Sequence, residues 1–189
     1  MNIQKLFEMQ RQLDLRIEQE HPRQEGEDRL AKKILALQVE LGELANEWRG
    51  FKFWSGRQEP VTEDLRVVDY KESGEAILET YNPLLEEYVD CLHFILSIGL
   101  EIGVCPEELD AESIFFANVT EQFIDLFYEV SHLIYEERNG RLYEDYLRYD
   151  IVFEHFVGLG VMLGFTWEQI EQAYIQKNAV NFERQENGY

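Results

Sequence analysis

Two short acidic motifs in this chain have the spacing of a metal-binding site. Glu40-x-x-Glu43 and Glu87-x-x-Asp90 each place two carboxylates three residues apart, and on an α-helix such residues share one face. If the two helices face each other, four hard oxygen ligands surround one cavity, which suits Mg²⁺ with its waters and substrate phosphates. A solvated acidic face is the simpler explanation of one such pair. Here both pairs border apolar residues, which favours a metal site.

Clustered carboxylates repel one another, and without a counter-ion some of them would take up protons. Two or more Mg²⁺ ions, with Mn²⁺ as an alternative, would neutralise them and attract a polyphosphate to an acidic protein. Metal ions that bridge phosphate oxygens stabilise the attacking and leaving oxygens in phosphoryl transfer. The chain contains neither a G-x-x-x-x-G-K-[ST] loop nor a G-x-G-x-x-G motif, so the ordinary nucleotide-binding loops are absent.

A third polar cluster lies near the end of the chain. Lys177, Asn181 and Arg184 recur at helical spacing, with Asn178 beside them. The chain has only 17 Lys plus Arg against 38 Asp plus Glu. Two cations on one face therefore suit phosphate oxygens, and the amides suit the polar edge of a base. The alternative is the ordinary excess of cations at a helix C-terminus.

Composition limits the functions open to this chain of 189 residues. Its net charge of −21 argues against the basic surface that nucleic acids require, so we expect no nucleic-acid partner. With 45% hydrophobic residues, the chain can form one folded domain, residues 1–189. Cys91 and Cys105 lack metal-type spacing and are expected to be reduced thiols. Because no signal pattern and no membrane-length apolar run is present, we expect a soluble, cytoplasmic protein without a membrane partner.

Helices must position the acidic motifs, and hydrophobic periodicity predicts about six of them. The predicted helices span residues 3–20, 28–48, 83–102, 120–136, 142–162 and 167–183. Residues 55–80 are polar and irregular, and are expected to form a loop or short hairpin inserted next to the site. The predicted fold class is therefore all-α, a helical bundle with one irregular insertion.

The polar residues of the second and third helices lie in unusual places. Glu40, Glu43 and Glu47 fall at the shoulder of an apolar stripe instead of opposite it. The third helix is apolar nearly all round, and a helix of this kind is buried. Its polar wedge is therefore expected to point into the protein or an interface. The wedge consists of Glu86, Glu87, Asp90, His93 and Ser97.

Three stretches of the chain together resemble the dimeric dUTPase family. They are ELANEWRGFKFWS, EEYVDCLHFILSIG and YIQKNAVNFERQENGY. This family belongs to the all-α NTP pyrophosphatase superfamily, which also contains the MazG-like enzymes. The resemblance extends from the Gln10-x-x-Leu13-Asp14 segment to Tyr189, whereas residues 55–86 match no pattern of the family and look like a variable insertion.

The resemblance implies a specific reaction and a specific site. The reaction is hydrolysis of dUTP, and also of dUDP, to dUMP, by a homodimer. Water attacks the β-phosphorus, and Glu43 is expected to help deprotonate it. The implied Mg²⁺ ligands, of which the first two are also the catalytic residues, are Glu40, Glu43, Glu87 and Asp90. The implied phosphate-binding residues are Lys177, Arg184, Tyr189 and, as a weaker candidate, Lys52. The implied deoxyuridine pocket consists of Gln10, Trp54, His93 and Asn181, with Asn178 as the alternative to Asn181.

Three other interpretations stay open at this point. A MazG-like pyrophosphatase would share the acidic framework and accept another nucleoside triphosphate. A di-iron helix bundle would use Asp90-x-x-His93 and Glu129-x-x-His132, completed by Glu40 and Glu43. A non-enzymatic partner-binding protein would use the aromatic fifth helix, where we also expect a homodimer interface. The aromatic residues concerned are Tyr143, Tyr146, Tyr149, Phe153 and Phe156.

Overall fold

The computed structural model describes residues 2–109, 112–138 and 142–188, which form six α-helices and one β-hairpin. The helices are α1 (Ile3–Glu20), α2 (Arg29–Trp48), α3 (Pro83–Ile102), α4 (Val119–Arg138), α5 (Leu142–Met162) and α6 (Trp167–Glu186). The strands are β1 (Asp64–Tyr70) and β2 (Ala76–Tyr81). The predicted all-α bundle is confirmed, and the insertion predicted near residues 55–80 contains the hairpin.

Polar residues at the helix N-termini explain where four of the helices begin. Asn2, Asp28, Asn82 and Thr166 each accept a hydrogen bond from the backbone N–H three residues further on. Such caps satisfy N–H groups that have no partner within the helix. Thr166 and Gln169 bond each other's backbone reciprocally, which completes a capping box.

Helix α3 lies at the centre of the bundle and packs against α1, α2, α5 and α6. Twelve of its residues are buried, as expected for a helix that is apolar nearly all round. Its polar wedge is only partly solvated, because His93 and Ser97 are buried and Glu87 and Asp90 are half-buried. The wedge therefore points towards the neighbouring helices.

Three aromatic residues of α5 belong to the protein's own core. Tyr149, Phe153 and Phe156 are at most 1% exposed, and the Tyr149 hydroxyl donates to the backbone oxygen of Ile95 in α3. The prediction that these three form an intersubunit surface is wrong, because their side chains are already buried within one subunit. Aromatic density in a sequence does not distinguish a core from an interface. Tyr143 and Tyr146 were predicted to share that surface, but their side chains are not among those that the structure describes.

The hairpin is anchored beside the two helices that carry the acidic motifs. Its strands pair antiparallel from Asp64↔Tyr81 to Tyr70↔Ala76, with a bulge between Val67 and Asp69. Arg66 forms ion pairs with Glu79 of β2 and with Glu86 of α3. Just before the hairpin, the backbone of Val61 bonds the backbones of both Glu47 and Leu84. The insertion is therefore tied to the end of α2 and the start of α3.

Length and hydropathy together decide whether a helix is able to span a bilayer. Within the described parts of the chain, no single helix meets that criterion. One bent pair, Arg148–Met162 with Trp167–Glu186, meets it only when the two helices are counted together.

Candidate active site

Three of the four predicted metal ligands converge at the contact between α2 and α3. One carboxylate oxygen from each of Glu40, Glu87 and Asp90 lies within 4.8 Å of the others, and all three residues are half-buried. The packing of α2 on α3 produces this arrangement, since Leu37, Leu41 and Leu44 are fully buried and turn the shoulder of α2 towards α3. In the following text these three carboxylates are called the acidic cluster.

Glu43, the fourth predicted ligand, lies apart from the acidic cluster. Its side chain is exposed, one turn further along α2. Its charge nevertheless acts on the cluster, because it contributes to the raised pKa values of both Glu40 and Glu87. Glu43 is thus close enough to influence groups at the cluster while remaining open to solvent.

The acidic cluster is electrostatically unfavourable without a cation. Burial, followed by repulsion from Asp90 and Glu43, raises the pKa of Glu40 to about 7. The same causes, together with Glu40, raise the pKa of Glu87 to about 7. Burial also raises the pKa of Asp90. Three hard oxygen donors that resist ionisation at close range form a set that Mg²⁺ or Mn²⁺ fits.

Lys177 of α6 neutralises part of this cluster. Its ammonium donates to Asp90 Oδ2 at 2.5 Å and to Glu86 Oε1 at 3.0 Å. Although burial lowers the pKa of Lys177, these carboxylates raise it above its ordinary value. The lysine predicted to bind phosphates therefore lies at the acidic cluster, where it contacts carboxylates of α3.

The di-iron interpretation finds no support in the described residues. Among these residues, the acidic cluster is the one group of three or more His, Cys, Asp or Glu side chains close enough to share a metal ion, and it contains no histidine. Glu129 instead pairs with Arg148 at 2.8 Å, and His132 Nδ1 lies 2.8 Å from the backbone oxygen of Tyr128.

A cavity of about 760 Å³ opens beside the acidic cluster. Its volume is in the range of small-molecule sites, and its walls come from α1, α2, α3 and α6 together with the α1–α2 connection. Six residues predicted from the sequence to form the site line this cavity: Gln10, Glu40, Asp90, His93, Asn181 and Arg184. Residues from four helices that are distant in sequence therefore meet around one space.

Two buried polar side chains in the cavity wall have fixed orientations. Gln10, 3% exposed, donates from Nε2 to Asp14 Oδ1 and accepts at Oε1 from the Tyr174 hydroxyl, both at 2.7 Å. His93 stacks on the Tyr174 ring at 4.1 Å between centroids, and its Nδ1 lies 2.8 Å from the Val89 oxygen. Burial lowers the pKa of His93 to about 4, so the ring is neutral at pH 7 and its Nε2 is a buried acceptor without a hydrogen-bond partner among the described residues.

Three polar residues around Gln10 were not assigned a role from the sequence. Asp14 follows Gln10 by four residues, so helical spacing alone could have identified it. Ser97, which donates to Asp14 Oδ2 at 2.6 Å, belongs to the predicted polar wedge. Tyr174 gave no signal, because a tyrosine within an amphipathic helix is most simply a core residue, and it is indeed fully buried.

Besides Lys177, three predicted binding residues in the described part of the chain do not line this cavity. Trp54 is 67% exposed and makes edge contacts with the rings of Phe51 and Phe53. Lys52 donates to the backbone and side-chain oxygens of Asn46. Asn178 is buried, which makes Asn181 the asparagine that faces the cavity. Tyr189 lies outside the described residues.

A protein-family model with the description dUTPase matches residues 2–69 and 76–189. The matched segments include the acidic cluster and all residues that line the cavity, and they omit the turn of the hairpin. No curated protein matches the chain at a significant level.

Proposed function

The chain belongs to the dUTPase family and is a dUTP diphosphatase, and from this premise we propose how its residues carry out the reaction. The proposed reaction is Mg²⁺-dependent hydrolysis of dUTP to dUMP and pyrophosphate, with dUDP as a second substrate. Mn²⁺ is the proposed substitute for Mg²⁺. The observation that supports this proposal best is the position of the acidic cluster at the edge of a nucleotide-sized cavity.

Glu40, Glu87 and Asp90 are the proposed ligands of two or more divalent cations, with Glu43 as a fourth ligand from its position one turn along α2. Cations held there would neutralise these carboxylates, withdraw negative charge from the polyphosphate and make water more acidic. The raised pKa values of Glu40 and Glu87 support this role, because a cation would offset the cost of ionising both groups at neutral pH.

Glu43 is the proposed general base, with Glu40 as the second catalytic carboxylate. Its exposed side chain is available to the attacking water, whereas the members of the acidic cluster are half-buried. A carboxylate that accepts this proton in the transition state contributes about 10²–10⁴-fold to the rate. As the new bond from water to the β-phosphorus forms, the bond from that phosphorus to the oxygen shared with the α-phosphate breaks. The dUMP leaves with the electron pair on that oxygen, pyrophosphate keeps the oxygen of the attacking water, and Glu43 holds the proton.

Two cationic side chains of α6 are the proposed phosphate contacts. Arg184 lines the cavity, and a guanidinium suits phosphate oxygens because its donors form a planar fork. Lys177, which donates to Asp90 and Glu86, is proposed to contact a phosphate oxygen as well when the substrate is bound. Lys52 and Tyr189 remain predictions for the same role.

Gln10, His93 and Asn181 are the proposed contacts to the nucleoside. The two amides can both donate and accept, as a uracil edge requires. The unpartnered Nε2 of His93 is an acceptor for a hydroxyl or an N–H of the substrate. Trp54 is proposed to stack on the base through its exposed ring after the segment that carries it moves towards the cavity, and Asn178 is the alternative to Asn181.

We also propose that the chain is a homodimer through one apolar patch on α2 and α4. Leu35 and Val39 are 63% and 51% exposed on α2, and Ile124 and Tyr128 are 64% and 53% exposed on the adjacent α4. Exposed apolar residues on two packed helices are typical of an interaction surface. A cytoplasmic location remains a prediction from composition.

Purified protein incubated with dUTP tests the proposed function. We expect pyrophosphate and dUMP with Mg²⁺ or Mn²⁺, and at least a hundredfold slower hydrolysis after Glu87→Gln, which removes a ligand charge while keeping the side-chain shape. The matched control is Glu72→Gln, an exposed carboxylate at the hairpin turn, which should retain activity. Full activity with excess EDTA would contradict the metal requirement, and an absence of dUMP would contradict the assigned reaction.

A further inference from the structure

We propose that Asp14 and Tyr174 fix the side-chain amide of Gln10 in one orientation, and that this orientation makes the cavity select uracil over cytosine. Both are positioning residues, because they act on the nucleotide through Gln10. The inference rests on the proposed function, since it takes the cavity wall around Gln10 as the nucleoside pocket. The inference adds which residues allow the pocket to distinguish two pyrimidine bases that differ only along one edge.

The amide of Gln10 has a different partner on each of its two polar atoms. Nε2 donates to Asp14 Oδ1, and Oε1 accepts from the Tyr174 hydroxyl, each across 2.7 Å. An amide has two N–H donors and two acceptor lone pairs. One donor and one acceptor therefore remain for a ligand in the cavity that Gln10 lines.

Asp14 makes the reversed orientation of the amide unfavourable. Its other oxygen accepts from Ser97 Oγ at 2.6 Å and from Lys33 Nζ at 3.4 Å, so both oxygens of Asp14 act as acceptors in this network. If the amide turned over, Gln10 Oε1 would face Asp14 Oδ1, and a buried acceptor would meet a half-buried one without a hydrogen between them. The Tyr174 hydroxyl can donate or accept, so it can bond the amide in either orientation. Asp14 is therefore the partner that determines the orientation of the amide.

Tyr174 also limits the movement of this part of the pocket. It is fully buried, its hydroxyl bonds Gln10, and its ring stacks on His93 at 4.1 Å with 17° between the planes. One side chain of α6 thus holds a residue of α1 and a residue of α3. A support packed on two sides keeps polar groups in place more precisely than solvent-exposed contacts do.

Base chemistry connects the amide orientation to substrate choice. Uracil presents an acceptor at O4 and a donor at N3, whereas cytosine presents a donor at N4 and an acceptor at N3. A fixed amide therefore complements one of these edges and opposes the other. An amide that is free to turn over could complement both. Sites that hydrogen-bond a substrate reject an unmatched analogue strongly, because buried polar groups are then left unpaired.

The decisive variant is Asp14→Asn, which keeps the shape but can present either an oxygen or an N–H to Gln10. We expect the ratio of kcat/KM for dUTP to kcat/KM for dCTP to fall at least tenfold, with a rise in the absolute kcat/KM for dCTP that damage to the fold would not produce. The control is Asp125→Asn, a partly buried aspartate that contacts His155 in α5, which should leave the ratio unchanged.

Tyr174→Phe is the second variant, and it keeps the stack on His93 while removing the hydroxyl. The expected result is again a lower ratio, and Tyr149→Phe is its control, because Tyr149 is an equally buried tyrosine that bonds the backbone of Ile95. Calorimetric binding of dUMP and dCMP measures the same preference without hydrolysis, so it separates this inference from the proposed function. A wild-type protein that does not distinguish the two bases, or ratios within twofold of wild type in both variants, would overturn the inference.

Discussion

The ammonium of Lys177 lies 2.5 Å from Oδ2 of Asp90, and this contact joins α6 to the acidic cluster. The other two carboxylates of the cluster come from Glu40 on α2 and Glu87 on α3. Three helices therefore meet at one charged centre beside the cavity. Because α6 also carries Arg184, which lines the cavity, and Tyr174, which bonds Gln10, any change in the charge balance of this centre acts on a helix that shapes the cavity wall.

Replacing Lys177 with methionine tests how much this contact stabilises the metal-free protein. Asp90 would stay largely buried without its cationic partner, and an unpaired group of this kind costs about 1–3 kcal/mol. We expect the free energy of unfolding in urea with EDTA to fall by about 2 kcal/mol. Lys71→Met, which removes an exposed ion pair with Glu75, should change it by less than about 1 kcal/mol. Equal effects of the two substitutions would contradict this role of Lys177.

The stability of the metal-free protein should depend on pH through Glu40 and Glu87. Their pKa is about 7 in the folded protein and 4.5 in the unfolded chain. Between these values the folded state binds more protons, so these groups lower stability as the pH rises. His93 has the opposite effect, because its folded pKa of about 4 lies below its unfolded value of 6.5. Above pH 6.5 the histidine effect becomes small, because the unfolded imidazole also loses its proton, and the carboxylate effect is the larger of the two.

We therefore expect the melting temperature in EDTA to fall from pH 6.5 to pH 8, and to fall less in the Glu40→Gln/Glu87→Gln double variant. Added Mg²⁺ should stabilise the wild type more at pH 8 than at pH 5.5, since metal binding requires deprotonated carboxylates. Differential scanning fluorimetry at matched ionic strength measures both quantities. Equal Mg²⁺ stabilisation at the two pH values would count against a metal site formed by these groups.

The proposed general-base role of Glu43 predicts a change in rate without loss of the fold. Glu43→Ala removes an exposed side chain, so helicity and the melting temperature in EDTA should stay close to wild type. We expect kcat for dUTP to fall at least a hundredfold. The comparison is Glu47→Ala on the same face of α2, for which we expect less than a tenfold loss. Hydrolysis that survives in Glu43→Ala would show that another group takes the proton.

Local signals were sufficient to predict the helices but not every packing partner. The caps Asn2, Asp28, Asn82 and Thr166 gave helix starts that agree with the structure to within a residue. The sequence left undecided whether residues 55–80 form a loop or a hairpin. The pairing of the two strands includes a bulge, and no sequence pattern predicts its position. Helix α5 was expected to carry an interface, although Tyr149, Phe153 and Phe156 belong to the core.

The spacing of residues along a helix predicts which side chains share one face of it, and the candidate site was predictable only to that extent. The acidic motifs placed Glu40, Glu87 and Asp90 together, since each lies at the border of an apolar stripe on helices that pack. Whether Glu43 joins them depends on the rotation of α2 against α3, which spacing does not determine. Tyr174 was missed for a similar reason, because its role arises from a contact with Gln10 across 164 residues of sequence.

The proposed homodimer predicts that charge on the apolar patch of α2 and α4 separates the subunits. Leu35→Glu combined with Ile124→Glu should give a monomer in light scattering at a concentration where the wild type is dimeric, because burying two unpaired carboxylates is costly. Leu78→Glu, at a 54% exposed position in β2, is the control and should leave the mass unchanged. A monomeric wild type would contradict the proposal.

Two glycines in helices give opposite expectations for the same substitution. A Cβ at Gly99 in α3 would lie 2.5 Å from the Tyr149 hydroxyl and 3.1 Å from the Phe7 ring, both buried, whereas a Cβ at Gly42 in α2 would meet nothing within 4 Å. Gly99→Ala should therefore lower the free energy of unfolding by about 1–3 kcal/mol, because the packed core must shift.

Gly42→Ala should raise it by about 0.5–1 kcal/mol, because alanine has the higher helix propensity and no contact opposes it. Urea denaturation of both variants in EDTA measures the difference. Tyr149→Phe in the Gly99→Ala background removes the crowding oxygen, so it should recover part of the lost stability. An equal effect of alanine at both positions would mean that the close approach of α5 to α3 at Gly99 does not determine stability.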